Sequence, residues 1–217
     1  MRLYRIRSEG HLGQPFGYCL TSNYTRIIDW CENKNCPLKS ITERVFPATI
    51  KFTGGRCGDL ISDVNILVFK AIVATDLQSR FRALTIEEVL WESGSKPPTA
   101  VLESNACELF ISASVPWNPE LSTLNIQWKC DTCQRALYEV AGVALPAREE
   151  KHGERWEWVD AKPRTPGMGV IIPAAEVEGL DFFKYGNVFK LCTETAKTYI
   201  EAQGWTNITF QEYGETI

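Results

Sequence analysis

What this chain has little of narrows its chemistry first. Among 217 residues there are two histidines, His11 and His152, both in charged or glycine-rich surroundings. A cysteine nucleophile needs an imidazole beside it, so the scarcity leaves little room for that kind of catalysis. No Gly-x-Ser-x-Gly, P-loop or dinucleotide-binding pattern occurs. The carboxylate pairs Glu87/Glu88 and Glu149/Glu150 lie in polar contexts that keep them ionised and solvated, so no residue set fills the roles of an active site. The expectation is a protein without enzymatic activity; the alternative is a small metal-dependent or thiol enzyme.

Other absences concern location and partners. No run of about 18 apolar residues exists to span a bilayer. The opening Met1-Arg2-Leu3-Tyr4-Arg5-Ile6-Arg7 lacks the apolar stretch of a secretory signal. A cytoplasmic protein that does not insert into membranes is expected. Basic excess is missing too: the net charge is −4 and the isoelectric point about 5.4. Nucleic acid and anionic membranes call for a basic face, so the acidic balance disfavours both and suits a basic protein partner.

What is present in quantity is cysteine. Eight of them in a reducing compartment point to metal ligation or plain burial and away from disulfides. Trp128-Lys129-Cys130-Asp131-Thr132-Cys133 sets two thiolates two residues apart on a turn after a strand, half of a tetrahedral site with sulfur–metal distances of about 2.3 Å. The other half is expected from Trp30-Cys31-Glu32-Asn33-Lys34-Asn35-Cys36, with His11 or Cys57 as substitutes. One structural zinc ion held by Cys31, Cys36, Cys130 and Cys133 would then fasten the N-terminal region to a point far along the chain. A redox pair of thioredoxin type opens a helix in a βαβ unit, a context not found here. Cys19, Cys107 and Cys192 sit in apolar strands and read as small core residues.

With 44% apolar and 23% charged residues the composition is that of a globular protein. One domain over residues 1–217 is expected, with two packed halves (1–100 and 101–217) as the variant. Strands are predicted at residues 2–7, around Gly17-Tyr18-Cys19-Leu20 and over Ala48–Phe52. Apolar Val64–Ala74 precedes Thr75 and Asp76, which predict a helix N-cap, with Leu77, Phe81 and Leu84 at helical spacing. Thr85 and Glu88 resemble a capping box opening a second helix, Ile86–Trp91. Further strands are predicted over Cys107–Val115, Leu121–Trp128 and Tyr138–Ala144. Near the end, Val188–Cys192 reads as a buried strand. Thr193 caps a helix with Ala196, Tyr199 and Ile200 on its inner face, Gly204 ends it, and Ile208-Thr209-Phe210 returns as a strand. Both helical units share the order apolar strand, Thr cap, helix, a match too loose to define a repeat. The fold class is α+β: a mixed sheet with a few packed helices and a cysteine clasp.

Two stretches are candidates for partner binding. Glu87, Glu88 and Glu92 would form an acidic face on the second helix, or merely its solvated side. Arg155, Trp156 and Trp158 alternate in a charged segment. Aromatic anchors with a charged rim favour an interface; otherwise both tryptophans pack into a core.

The order of these motifs resembles a known family. A short N-terminal strand, an early cysteine pair, a long middle, a second C-x-x-C and an Asp-Phe-Phe opening to the closing strand–helix–Gly–strand are similar to the double-CXXCG motif proteins of myxobacterial type. The similarity lies in Met1–Ile6, Leu180-Asp181-Phe182-Phe183-Lys184, Cys192-Thr193-Glu194 and Gly204-Trp205-Thr206-Asn207-Ile208-Thr209-Phe210. Residues 55–125 carry none. Here Cys31 and Cys36 are four residues apart where the family has two, and Pro37 and Gln134 stand where it has Gly. The resemblance implies a cytoplasmic immunity protein that binds and neutralises a cognate polymorphic toxin by occlusion, with a structural zinc site.

Overall fold

The opening strand of the chain, β1 (Arg2–Arg7), lies in the middle of a sheet whose other strands all come from the second half of the chain. The structure is a computed structural model that describes all residues except 9–17, 37–39, 54–56, 63–65, 93–104, 153–154 and 187. For residues 18–21, 28–30, 40–43, 53, 62, 148–152 and 155–157 it describes the backbone alone.

In the first half, β1 is followed by β2 (Tyr18–Ser22), β3 (Thr25–Trp30), β4 (Ser40–Arg44), β5 (Ala48–Thr53), β6 (Leu60–Ser62), β7 (Val68–Lys70), α1 (Ala71–Arg80) and β8 (Leu84–Trp91). In the second come β9 (Ala106–Ile111), β10 (Ser114–Val115), β11 (Leu124–Lys129), β12 (Ala136–Val140), β13 (Arg148–His152), β14 (Arg155–Val159), β15 (Val170–Ile172), β16 (Phe182–Tyr185), β17 (Phe189–Thr193), α2 (Glu194–Gln203) and β18 (Thr209–Thr216). This is an α+β architecture with mixed sheets, as expected.

The two halves are built on one plan. One six-stranded sheet has the order β10-β16-β17-β1-β18-β15, and the other, taken from its far edge, β6-β7-β9-β8-β5-β2. Five strands correspond in order and direction. β16 and β6 run antiparallel to β17 and β7; β17 and β18 flank β1 antiparallel, as β7 and β8 flank β9; β15 and β5 lie parallel to β18 and β8. Each half therefore gives its first strand to the centre of the other half's sheet. The weak likeness between the two strand–cap–helix units is a real structural repeat. It went unrecognised because corresponding residues share burial and not identity.

Local contacts repeat as well. Each helix is ten residues long and follows its strand directly. The N–H groups of Lys70 and Thr193 donate to the carbonyls of Asp59 and Asp181, both at 3.0 Å. The side chains echo this: the Lys70 ammonium lies 3.1 Å from the Asp59 carboxylate, and the Thr193 hydroxyl donates to Asp181 at 2.5 Å. Asp76 and Tyr199 each occupy the sixth position of their helix, and the Tyr199 hydroxyl donates to Asp76 at 2.6 Å. Equivalent residues thus meet at the contact between the halves, as in an isologous interface. Around this point one cluster joins Val73 and Leu77 of α1, Ala196 and Ile200 of α2, and Tyr4, Phe69, Leu109 and Phe182 from both sheets.

Two helical expectations need correction. The first helix starts at Ala71, four residues before the expected Thr75 cap, after an N-cap residue, Lys70, that makes no side-chain cap bond. Residues Thr85–Trp91, with their capping-box look, form strand β8. Ala83, at φ 63°, turns the chain, and β8 then pairs with β9 on one side and β5 on the other. Ladder bonds on both edges outweigh a local preference of a few tenths of a kcal/mol per residue, roughly. The closing unit matches its pattern: the Thr193 side chain accepts from the Ala196 N–H at 3.3 Å, and Gly204 ends α2 at φ 66°. Among the described residues no helix is long and apolar enough to cross a membrane.

Candidate metal centre

Each half carries a two-stranded arm, β3–β4 and β11–β12, and each arm has a register shift at corresponding places, Ile27/Asp29 and Ile126/Trp128. Cys31 and Cys130 follow four residues after those isoleucines, at the arm tips. In the second arm the turn is closed by Gln134 N–H donating to the Cys130 carbonyl at 2.8 Å and Cys130 N–H to the Arg135 carbonyl at 2.9 Å. Gln134 takes the left-handed φ of 58° at the place where glycine would be free of cost. Such a conformation costs a residue with a Cβ about 1–2 kcal/mol, partly offset by the chain entropy that glycine loses on folding. Gln134→Gly is expected to raise stability by up to about 1 kcal/mol in a denaturant titration, with metal content unchanged.

The longer first spacing is absorbed by a turn. Asn33 accepts from Asn35 N–H through its side chain at 2.9 Å and from Cys36 N–H through its carbonyl at 3.0 Å, which folds Cys36 back toward Cys31. The two arms then meet tip to tip. Cys31 and Cys130 are 3.7 Å apart at sulfur, Cys36 and Cys133 4.0 Å, and all four sulfurs lie within 4.8 Å of one another. A tetrahedron with bonds of about 2.3 Å has edges of about 3.8 Å, so the sulfurs are spaced as ligands of one ion; disulfide-bonded sulfurs would stand at about 2.05 Å. Cys36 and Cys130 are buried, and Cys31 and Cys133 partly exposed.

The electrostatics suit thiolates. The Cys130 thiol is held down to about 6, first by the N–H of Cys133 and then by that of Thr132, against the opposing effect of burial. Cys31 is pushed up by burial, while an Asn33 backbone bond works the other way. The residue two positions after the leading cysteine of each arm, Asn33 or Thr132, thus supplies a backbone bond to its sulfur. An electropositive nest of this kind favours an anionic sulfur ready for a cation.

Of the other residues considered, Cys57 is apart from the cluster and donates to the Gly58 carbonyl at 3.4 Å. Cys107 and Cys192 are buried in β9 and β17. His11 lies outside the described residues, as do the side chains of Cys19, His152, Arg155 and Trp156. Glu87 and Glu88, on a strand instead of a helix, point to opposite faces of the sheet, and Glu92 pairs with Lys51 at 3.2 Å. A single acidic helix face does not form. Trp158 is 66% exposed, so its side chain is not in a core.

One feature escaped sequence reasoning. Between the cysteine arm and the next sheet strand the first half has only residues 45–47, whereas the second has residues 141–169, which include the antiparallel hairpin β13–β14. That hairpin has no counterpart in the first half, and it carries Trp158. Only comparison of the two halves singles it out. Comparison of the chain with family models, with curated proteins and with solved structures gives no match.

Proposed function

We propose that this protein is an immunity protein of the kind its motif order resembles: a rigid, zinc-clasped body that binds a cognate toxin and covers it without chemistry. Four thiolates favour zinc over hard cations. A site closed by four protein ligands is structural, because a catalytic zinc keeps one position open for water or substrate. A clasp joining arms from both halves holds the surface in its binding shape, which limits the entropy lost on association. An acidic body would speed capture of a basic toxin.

The observation that carries this reading is the unmatched hairpin. In a molecule built twice on one plan, the added element with an exposed tryptophan is where a specific function is expected, and tryptophan leads among residues that dominate interface energies. The exposed Ile126 and Leu137 of the neighbouring β11–β12 arm, 58% and 44% accessible, extend the apolar surface of this half. The test is co-purification with the product of the adjacent gene. A stable complex on gel filtration is expected, weakened at least about tenfold by Trp158→Ala, an effect of about 1.4 kcal/mol or more, with the melting temperature unchanged. A Trp158→Ala protein that binds as tightly as the parent would remove the hairpin from the interface, and absence of any complex would oppose the reading.

A further inference from the structure

A cleft of about 370 Å³ opens between the two halves, lined among others by Tyr24 and Arg44 of the first arm, Glu108 and Phe110 of β9, Lys184 of β16 and Lys190 of β17. Its charges are unevenly matched. The Arg44 guanidinium faces both oxygens of the Glu108 carboxylate, one contact measuring 3.2 Å through Nε, and donates to the Tyr24 carbonyl at 2.6 Å. Arg44 and Glu108 therefore neutralise each other.

Lys184 is placed differently. It interrupts a strand in which Phe182, Phe183 and Tyr185 are fully buried. Its ammonium sits 4.8 Å from the Phe110 ring centroid. Among the described residues no carboxylate lies within ion-pairing distance of it. Burial draws its pKa below that of an ordinary lysine, and the Glu108 charge opposes this only in part. A half-buried cation lacking an anion is costly unless a partner arrives. The remaining cleft wall includes Ile66, Leu109 and Val188, which suits an apolar body.

We infer that this cleft is a binding site for a carboxylate borne on a small apolar group, the carboxylate meeting Lys184 over Phe110 and the apolar part filling the space between the halves. The carboxylate has two possible sources, a free organic acid or an acidic side chain presented by a bound protein. Calorimetric titration of the full chain with phenylacetate tests the first, and with N-acetylglutamate methylamide the second. Whichever binds more tightly identifies the source. Saturable binding of at least one is expected. Phenethylamine, the same body with the opposite charge, should bind at least tenfold more weakly to the unaltered protein. Lys184→Met should weaken carboxylate binding at least tenfold while leaving the fold intact, since an apolar chain of similar length replaces a desolvated charge. Lys51→Met, on the far strand β5, should change nothing. The inference is overturned if neither carboxylate saturates, if phenethylamine binds equally well, or if Lys184→Met binds as the parent does.

Discussion

Cys130→Ser is expected to abolish stoichiometric metal binding and to lower the melting temperature by about 10 °C. The sulfur it removes is buried, stands 3.7 Å from Cys31, and receives the backbone bonds that favour a thiolate. Structural zinc contributes about 10–16 kcal/mol to the folding of small zinc peptides. Here the shared core between the sheets survives metal loss, so only part of that is at stake. A loss of about 3–5 kcal/mol is reasonable for a destroyed metal site, and at about 2–4 °C per kcal/mol for a chain of this length the shift follows. Cys31→Ser should match it, because the two residues are equivalent across the contact between the halves. Cys57→Ser, outside the cluster, should leave metal content untouched. A chelator added to the parent protein should reproduce the Cys130→Ser melting curve, and acidification should favour metal release, since protons compete for thiolates. Calorimetric scans paired with elemental analysis decide the matter; an unchanged melting temperature with metal lost would make the clasp dispensable.

Removal of residues 1–8 is expected to unfold the second half of the chain, the larger structural effect. Although β1 begins at residue 2, it supplies the ladder between β17 and β18, with register running from Leu3↔Thr193 to Arg7↔Thr209. Leu3 and Ile6 are at 0% and 2% exposure and face two different core clusters. Without them both sheet faces lose packing and two strand edges are bared. The truncated chain should show loss of cooperative melting in circular dichroism, and a synthetic peptide of residues 1–8 added in excess should restore part of it. Truncated protein that melts cooperatively within a few degrees of the full chain would contradict the exchange of strands.

Why the sequence disclosed some of this and not the rest follows from where each signal resides. The four cysteines were legible across about a hundred residues because thiol chemistry and close spacing carry information that needs no local structure. The closing helix was legible because Thr193 and Gly204 mark its ends with side-chain and backbone chemistry of their own. The first helix is bounded by Lys70 and Phe81, neither of which offers a side-chain cap, and its start was misplaced accordingly. Strand β8 was hidden because its stability comes from β9 and β5, far away in the chain. The repeat was hidden for a related reason. Val73 and Ala196, or Leu77 and Ile200, are equivalent in burial only, and an exchanged central strand is a non-local pairing that no window along the chain can reveal.

That the arms are joined by a metal is the claim on which the rest leans. X-ray absorption at the zinc edge, on protein purified without metal-affinity resin, tests it most directly. The account predicts about one zinc per chain surrounded by four sulfurs at about 2.3 Å. A metal-free chain, or a first shell rich in oxygen or nitrogen, would contradict it.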